Sequence, residues 1–189
     1  PETSWNTQGS VRWRPTPALT LGAGGFYNDL TDLIQADLIE EAGPGSLQRF
    51  GYVNVASART AGVDLEAGLD DADVGGLLLH WRGLDTLDRG TGLPLSGRSP
   101  HQVTAQGHLI LPVWDLTLNA RGTWFAPRDF VQTLGGEPTV IAAPAVLNAD
   151  VTVTLSPTDR FSVQAGIENL ADAGDNPEAL LQTRPRRIF

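Results

Sequence analysis

Apolar and polar residues alternate one by one along most of this chain. The clearest run is Ala61 to Leu69: Ala61, Val63, Leu65, Ala67 and Leu69 are apolar, and Gly62, Asp64, Glu66 and Gly68 between them are small or acidic. A period of two predicts a β-strand with two unlike faces. The pattern recurs from Trp5 to Trp13, Leu19 to Tyr27, Val103 to Leu111, Trp114 to Trp124, Leu147 to Leu155 and Phe161 to Ile167. It is fainter from Gly76 to Leu84 and from Gln182 to Phe189, and it weakens between Asn28 and Leu38. No segment of useful length has the helical period, and Ala171 to Leu181 reads as loop. The count comes to about nine strands.

The links carry a second pattern. Arg14–Pro17, Asp70–Asp73, Leu111–Val113 and Ser156–Asp159 are short and rich in Pro or Asp, as tight turns require. Longer links, about Glu41 to Ser46, Thr86 to Ser99, Ala126 to Ala143 and Ala171 to Leu180, alternate with them. In an up-and-down meander this places every short turn at one end and every long loop at the other.

Alternation alone does not say which face is wet. A soluble sandwich turns the apolar face inward, whereas a membrane barrel turns it out to lipid and encloses the polar face. Three features favour the membrane arrangement. Several runs reach the roughly 9–11 residues that a tilted strand needs to cross a bilayer. Trp13, Trp114 and Phe161 adjoin the short turns, and Trp5, Trp81 and Trp124 lie toward the long loops, as two interfacial girdles would. The apolar face also mixes Ala and Gly with Leu and Val, a light surface that lipid covers more readily than it fills a protein core. The expectation is an all-β, antiparallel, up-and-down transmembrane β-barrel. Another outer-membrane barrel, such as a porin or a small closed barrel, and a soluble all-β binding module are the alternatives.

Composition narrows the function. The chain has 189 residues and a net charge of −9, and all 13 of its basic residues are Arg. An acidic chain is a poor partner for nucleic acid, which needs concentrated positive charge. Cys is absent, so thiol chemistry and disulfides are excluded. Met is absent too, and the first residues, Pro1 to Ser4, lack the features of a signal peptide; a processed or excised piece is expected. No apolar run is long enough for a transmembrane helix, a test that says nothing about strands.

Several motifs resemble the C-terminal β-barrel portion of TonB-dependent outer-membrane receptors. Pro1-Glu2-Thr3-Ser4 with Gln8 to Trp13 resembles one strand of that family, and Phe26 to Ile34 (FYNDLTDLI) resembles the next. Tyr52 to Val55 with Ala58 to Glu66, Gly97 to His101, Glu168 to Asp172 and Arg184 to Phe189 resemble further family motifs in the family's order. Asp64 stands where the family usually has Glu, Ala171 where it has Phe, and Pro185 where it has Gly.

The resemblance implies that residues 1–189 form about nine strands of a 22-stranded barrel, the plug domain and N-terminal strands being absent. It implies active uptake of a metal chelate such as an iron–siderophore, with the energy-transducing TonB protein, a plug domain and outer-membrane lipid as partners. It further implies that Phe189 is the C-terminal aromatic read by the barrel-assembly machinery. No enzymatic activity and no cofactor is expected. A piece of this kind has unpaired edges, so the chain alone is expected neither to close stably nor to transport.

Individual residues are read against plainer roles. Asp64 and Glu66 are neighbours on one face; an acid–base pair is one reading, but a wet lumen face explains them together with His108, Arg121 and Asp150 on other strands. His80, His101 and His108 lack metal-ligand spacing. Gly22-Ala23-Gly24-Gly25 has no helix after it, which argues against a phosphate loop; small residues there leave room for something packed against the wall. Arg184, Arg186 and Arg187 are either a solvated cluster or a contact for lipid headgroups or plug carboxylates. Ligand contacts are expected in the long loops, with Arg128, Asp129 and Phe130 as candidates.

Overall fold

The computed structural model describes residues 3–40, 49–112, 115–134, 137–158, 160–171 and 187–188. Nine antiparallel strands form one sheet: β1 (Thr3–Trp13), β2 (Leu19–Glu40), β3 (Arg49–Asp71), β4 (Gly75–Asp88), β5 (His101–Leu111), β6 (Leu116–Phe125), β9 (Val146–Thr158), β10 (Phe161–Glu168) and β11 (Arg187–Ile188). Each pairs with the next in this order, giving the expected up-and-down meander. Between β6 and β9 the chain leaves the sheet to form a separate hairpin, β7 (Arg128–Leu134) with β8 (Glu137–Ala143). Among the described residues β1 pairs only with β2, and β11 only with β10, so the sheet does not close.

One link departs from the sequence expectation, and two stretches of weak or faint pattern are full strands. The stretch Ala126 to Ala143 is not plain loop but holds β7 and β8. Its apolar residues come as adjacent pairs, Phe130-Val131 and Val140-Ile141, so period two fails to reveal them. The weak pattern after Asn28 is still strand: β2 and β3 keep one register as far as the pair Leu38 and Phe50, and it shifts before their last pair, Glu40 and Arg49. The faint run at Gly76 is a full strand of 14 residues. Of the expected last strand only Arg187 and Ile188 are described, held opposite Glu168 and Ile167; Trp114, Arg184, Arg186 and Phe189 lie outside the described residues.

The registers give the tilt of the strands. Trp13 is the last residue of β1, and its level runs straight across the sheet through Leu21, Ala67, Leu79 and Ala105. In β5 that level lies well inside the strand, which continues down to Leu111. The turn ends therefore step by about one residue per strand. A rise of about 3.3 Å for each strand spacing of about 4.8 Å corresponds to a tilt of about 35°, within the usual range for membrane barrels.

The two faces separate as the alternation predicts. On one face Val11, Val63, Leu65, Leu77, Leu79, Val103, Leu109, Leu147, Leu155 and Val163 are exposed. Trp13 and Phe161 mark this face near the short turns, and Trp5 and Trp124 mark it toward the long loops. Trp5 meets Tyr27 edge-on at 6.1 Å, and Trp81, nearer mid-height, stacks against His101 at 5.8 Å. Trp5 and Trp13 are eight residues apart, about 26 Å along the strand and about 20 Å in height once tilted. Just beyond the upper aromatic level the same face becomes charged: Arg59 pairs with Asp85, and Arg89 with Asp29, each at 2.6 Å. The hydrogen bond and charge of Asp29 raise the pKa of the exposed Arg89 guanidinium above its usual value. Such a charged row ends the apolar band.

Candidate functional site

The opposite face carries the polar residues and the grooves, so the sheet curls around it. Asp64, Glu66, His108, Arg121 and Asp150 all lie here, in two adjoining grooves of about 950 and 680 Å³. Alternation places each of them: β3 offers Asp64 and Glu66, and β4 brings His80 and Arg82 opposite them in register. Asp64 accepts a hydrogen bond of 2.7 Å from Arg82 Nε, and His80 Nε2 lies 3.1 Å from it. Glu66 lies 3.6 Å from Arg12 of β1. The two neighbouring carboxylates thus face different cations, an arrangement unlike an acid–base pair sharing one substrate. Further round, Arg121 stands between Gln106 and Asp150 in the strand register, and Asp150 accepts from the backbone N–H of Asn169 at 2.9 Å. His108 Nε2 is 4.0 Å from Asp70.

The small residues of this face are partly used by the wall itself. A Cβ on Gly62 would stand 2.6 Å from the Phe26 ring, so glycine there lets Phe26 lie flat across β3. Arg82 in turn covers Phe26, its guanidinium carbon 6.0 Å from the ring centre. Around Gly62, then, the space is taken by the wall's own ring, whereas Gly22 to Gly25 line one of the grooves.

The mouth of the curled sheet is built differently. Ala58, Leu95, Ala126, Ala143 and Val146 are buried there and form the only apolar core among the described residues. The link from Arg89 to Pro100 and the β7–β8 hairpin are seated on one another. Gly97 N–H donates to the Asp129 carbonyl at 2.8 Å, and Val131 N–H donates to Ser96 Oγ at 3.1 Å. Gly97 has φ of 70°, and a Cβ there would stand 2.9 Å from Phe130. Glycine serves both needs, since it tolerates a left-handed backbone and leaves the ring its place. Strand β7 also reaches β2, which lies four places away from β6 in the sheet, so the hairpin leans across the mouth.

The three loop candidates take different positions. Phe130 packs on Gly97, Asp129 offers its backbone carbonyl to the same glycine, and Arg128 is 7% exposed. The Arg128 guanidinium carbon lies 5.8 Å from both the Phe125 and Phe130 ring centres. Phe125 shares its face with Thr123 and Arg121, the polar face of the sheet. Burial lowers the Arg128 pKa. Its Nε is buried without a partner, and the side chain forms no ion pair among the described residues. Stacking returns about 0.5–2 kcal/mol for each ring, less than the several kcal/mol that an unpaired buried cation costs. Sequence reading singles out Arg128 but misses Phe125, whose ring lies beside it, and the ties from Ser96 and Gly97 to its neighbours in β7; the Gly-Gly at 135–136, a hairpin signal, is the one available clue.

Comparison with known proteins agrees with this architecture. The family model for TonB-dependent receptor-like β-barrels matches residues 1–170. Among solved structures, a variant of the ferric enterobactin receptor PfeA of Pseudomonas aeruginosa, in complex with enterobactin, superposes with a TM-score of 0.74 at 20% identity, covering 100% of this chain and 30% of that one. The siderophore receptor PirA of Acinetobacter baumannii gives 0.68 at 18% identity, covering 90% and 28%. The ferripyoverdine receptor of the outer membrane of Pseudomonas aeruginosa gives 0.66 at 13%, covering 90% and 23%. The chain thus spans between a quarter and a third of the length of the first two. No curated protein sequence matches significantly. With an apolar outer face, a polar grooved inner face, tilted meandering strands and a family match over nine-tenths of its length, the chain belongs to the TonB-dependent receptor β-barrels of the bacterial outer membrane.

Proposed function

We propose that this chain forms part of the wall and mouth of a receptor that actively imports a metal chelate of the iron–siderophore class across the outer membrane. The observation that carries the reading is the polar, grooved inner face bounded by a mouth of docked loops, in a chain of this family. A passage for a charged chelate needs a wet, polar wall, and Asp64, Glu66, His108, Arg121 and Asp150 supply one. In this reading they face the lumen and a plug domain packs against them. TonB supplies the energy, and no bond of the cargo is made or broken. Phe189 serves as the assembly signal.

The test is uptake of radioactive iron as a panel of ferric siderophores, in cells carrying or lacking the gene, with and without TonB. Iron accumulation that requires both the gene and TonB is the expected result. Equal uptake in the absence of either one overturns the proposal.

A further inference from the structure

We propose that Arg128 is a binding residue for a carboxylate of the incoming ligand, held ready by the two phenyl rings that flank it. The inference rests on the uptake reading above and names the ligand chemistry at the mouth.

Three observations carry it. The residue is more than nine-tenths buried yet has no counter-ion among the described residues. Only its Nε is both buried and unpartnered; among the described residues the terminal nitrogens have no partner either, and they retain contact with solvent. The guanidinium is therefore covered along its flanks and open at its outer edge. Finally, its support is rigid. Ala126 is tied on both sides, its N–H to the His101 carbonyl and its carbonyl to Ser99 Oγ, each at 2.9 Å. On the other side Asp129 and Val131 are tied to Gly97 and Ser96.

An open guanidinium edge presents two parallel N–H donors, the spacing that a carboxylate accepts with both oxygens. The flanking rings keep water from the flat faces and fix the plane of the fork, so little ordering remains to be done when the ligand arrives. Stacking accounts for the position of the side chain but leaves its charge uncompensated, whereas an anion from outside compensates it. Phe125, one of the two rings beside the fork, belongs to the polar face, the side on which the grooves lie.

The experiment uses the receptor purified from outer membranes into nanodiscs, with citrate and ferric citrate as probes in calorimetric titrations. Wild type is compared with Arg128→Lys, which keeps charge but not the fork, and Arg128→Gln, which keeps neither. Hydrogen exchange at β7 and β8 reports whether the hairpin stays seated. The expected result is binding of both probes, weakened roughly tenfold or more in each variant with the hairpin unmoved. Probes that bind wild type and both variants alike overturn the site and leave the uptake reading intact. Citrate bound through Arg128 without any siderophore uptake keeps the site and removes that reading. A wild type that binds neither probe overturns the site. Weakening confined to a variant whose hairpin has lifted, with Arg128→Lys binding normally, makes Arg128 a packing residue and overturns it as well.

Discussion

The wall and the mouth of this molecule obey opposite rules. In the wall, large apolar side chains such as Leu65, Leu79 and Val103 are exposed, and among the described residues no large side chain is fully buried. At the mouth a small conventional core forms from Ala58, Leu95, Ala126, Ala143 and Val146. The difference is one of solvent. The wall borrows its apolar environment from the bilayer and needs no packing partner on that side. The mouth stands in water, so its loops hold their shape only by packing on one another and by tying backbone groups, as Gly97 does to Asp129. Rigidity at the mouth is thus a matter of fit, while rigidity of the wall is a matter of ladder hydrogen bonds.

Substitutions can test that contrast. Leu65→Arg, halfway between the aromatic levels on the apolar face, is expected to cost about 2–4 kcal/mol of stability in the membrane. Folding into lipid vesicles under urea measures it, and a negligible loss would mean this face does not touch lipid. Leu95→Ala leaves a cavity in the mouth core and is expected to cost about 2 kcal/mol there. It should accelerate hydrogen exchange in β7 and β8 while leaving β3 to β6 unchanged; equal acceleration everywhere would make wall and mouth one cooperative unit. Gly97→Ala combines an unfavourable backbone angle with the Phe130 contact and should cost about 1–2 kcal/mol, read as faster proteolysis of the hairpin. Asp64→Asn, on the polar face, should change vesicle insertion by about 0.5 kcal/mol or less, since the partly exposed pair with Arg82 contributes little. An effect as large as that of Leu65→Arg would reverse the assignment of the faces.

Legibility in the sequence followed the same division. Where the bilayer imposes one apolar face, alternation reads directly: Ala61 to Leu69, Val103 to Leu111 and Leu147 to Leu155 all lie in β3, β5 and β9 with the expected faces. The same period gathers Asp64, Glu66, His108, Arg121 and Asp150 on the grooved face. Above the membrane level no such constraint acts, so β2 beyond Asn28 and the β7–β8 hairpin carry no clean period. The surroundings of Arg128 were illegible because they depend on contacts between distant segments, Gly97 with Phe130 and Ser96 with Val131. Local spacing does not encode such contacts. The orientation of the faces, by contrast, needed only the aromatic placement and the run lengths.

β2 and β3 continue together well past the last residues they share with β1 and β4, as a ribbon ending at the pair Glu40 and Arg49. From Tyr27 to Glu40 the strand travels about 43 Å, which carries the ribbon about 35 Å above the aromatic level. On a living cell it is the part of this chain that antibodies and secreted proteases would encounter first. The ribbon therefore stands apart from the grooves, joined to them through the two strands that it continues.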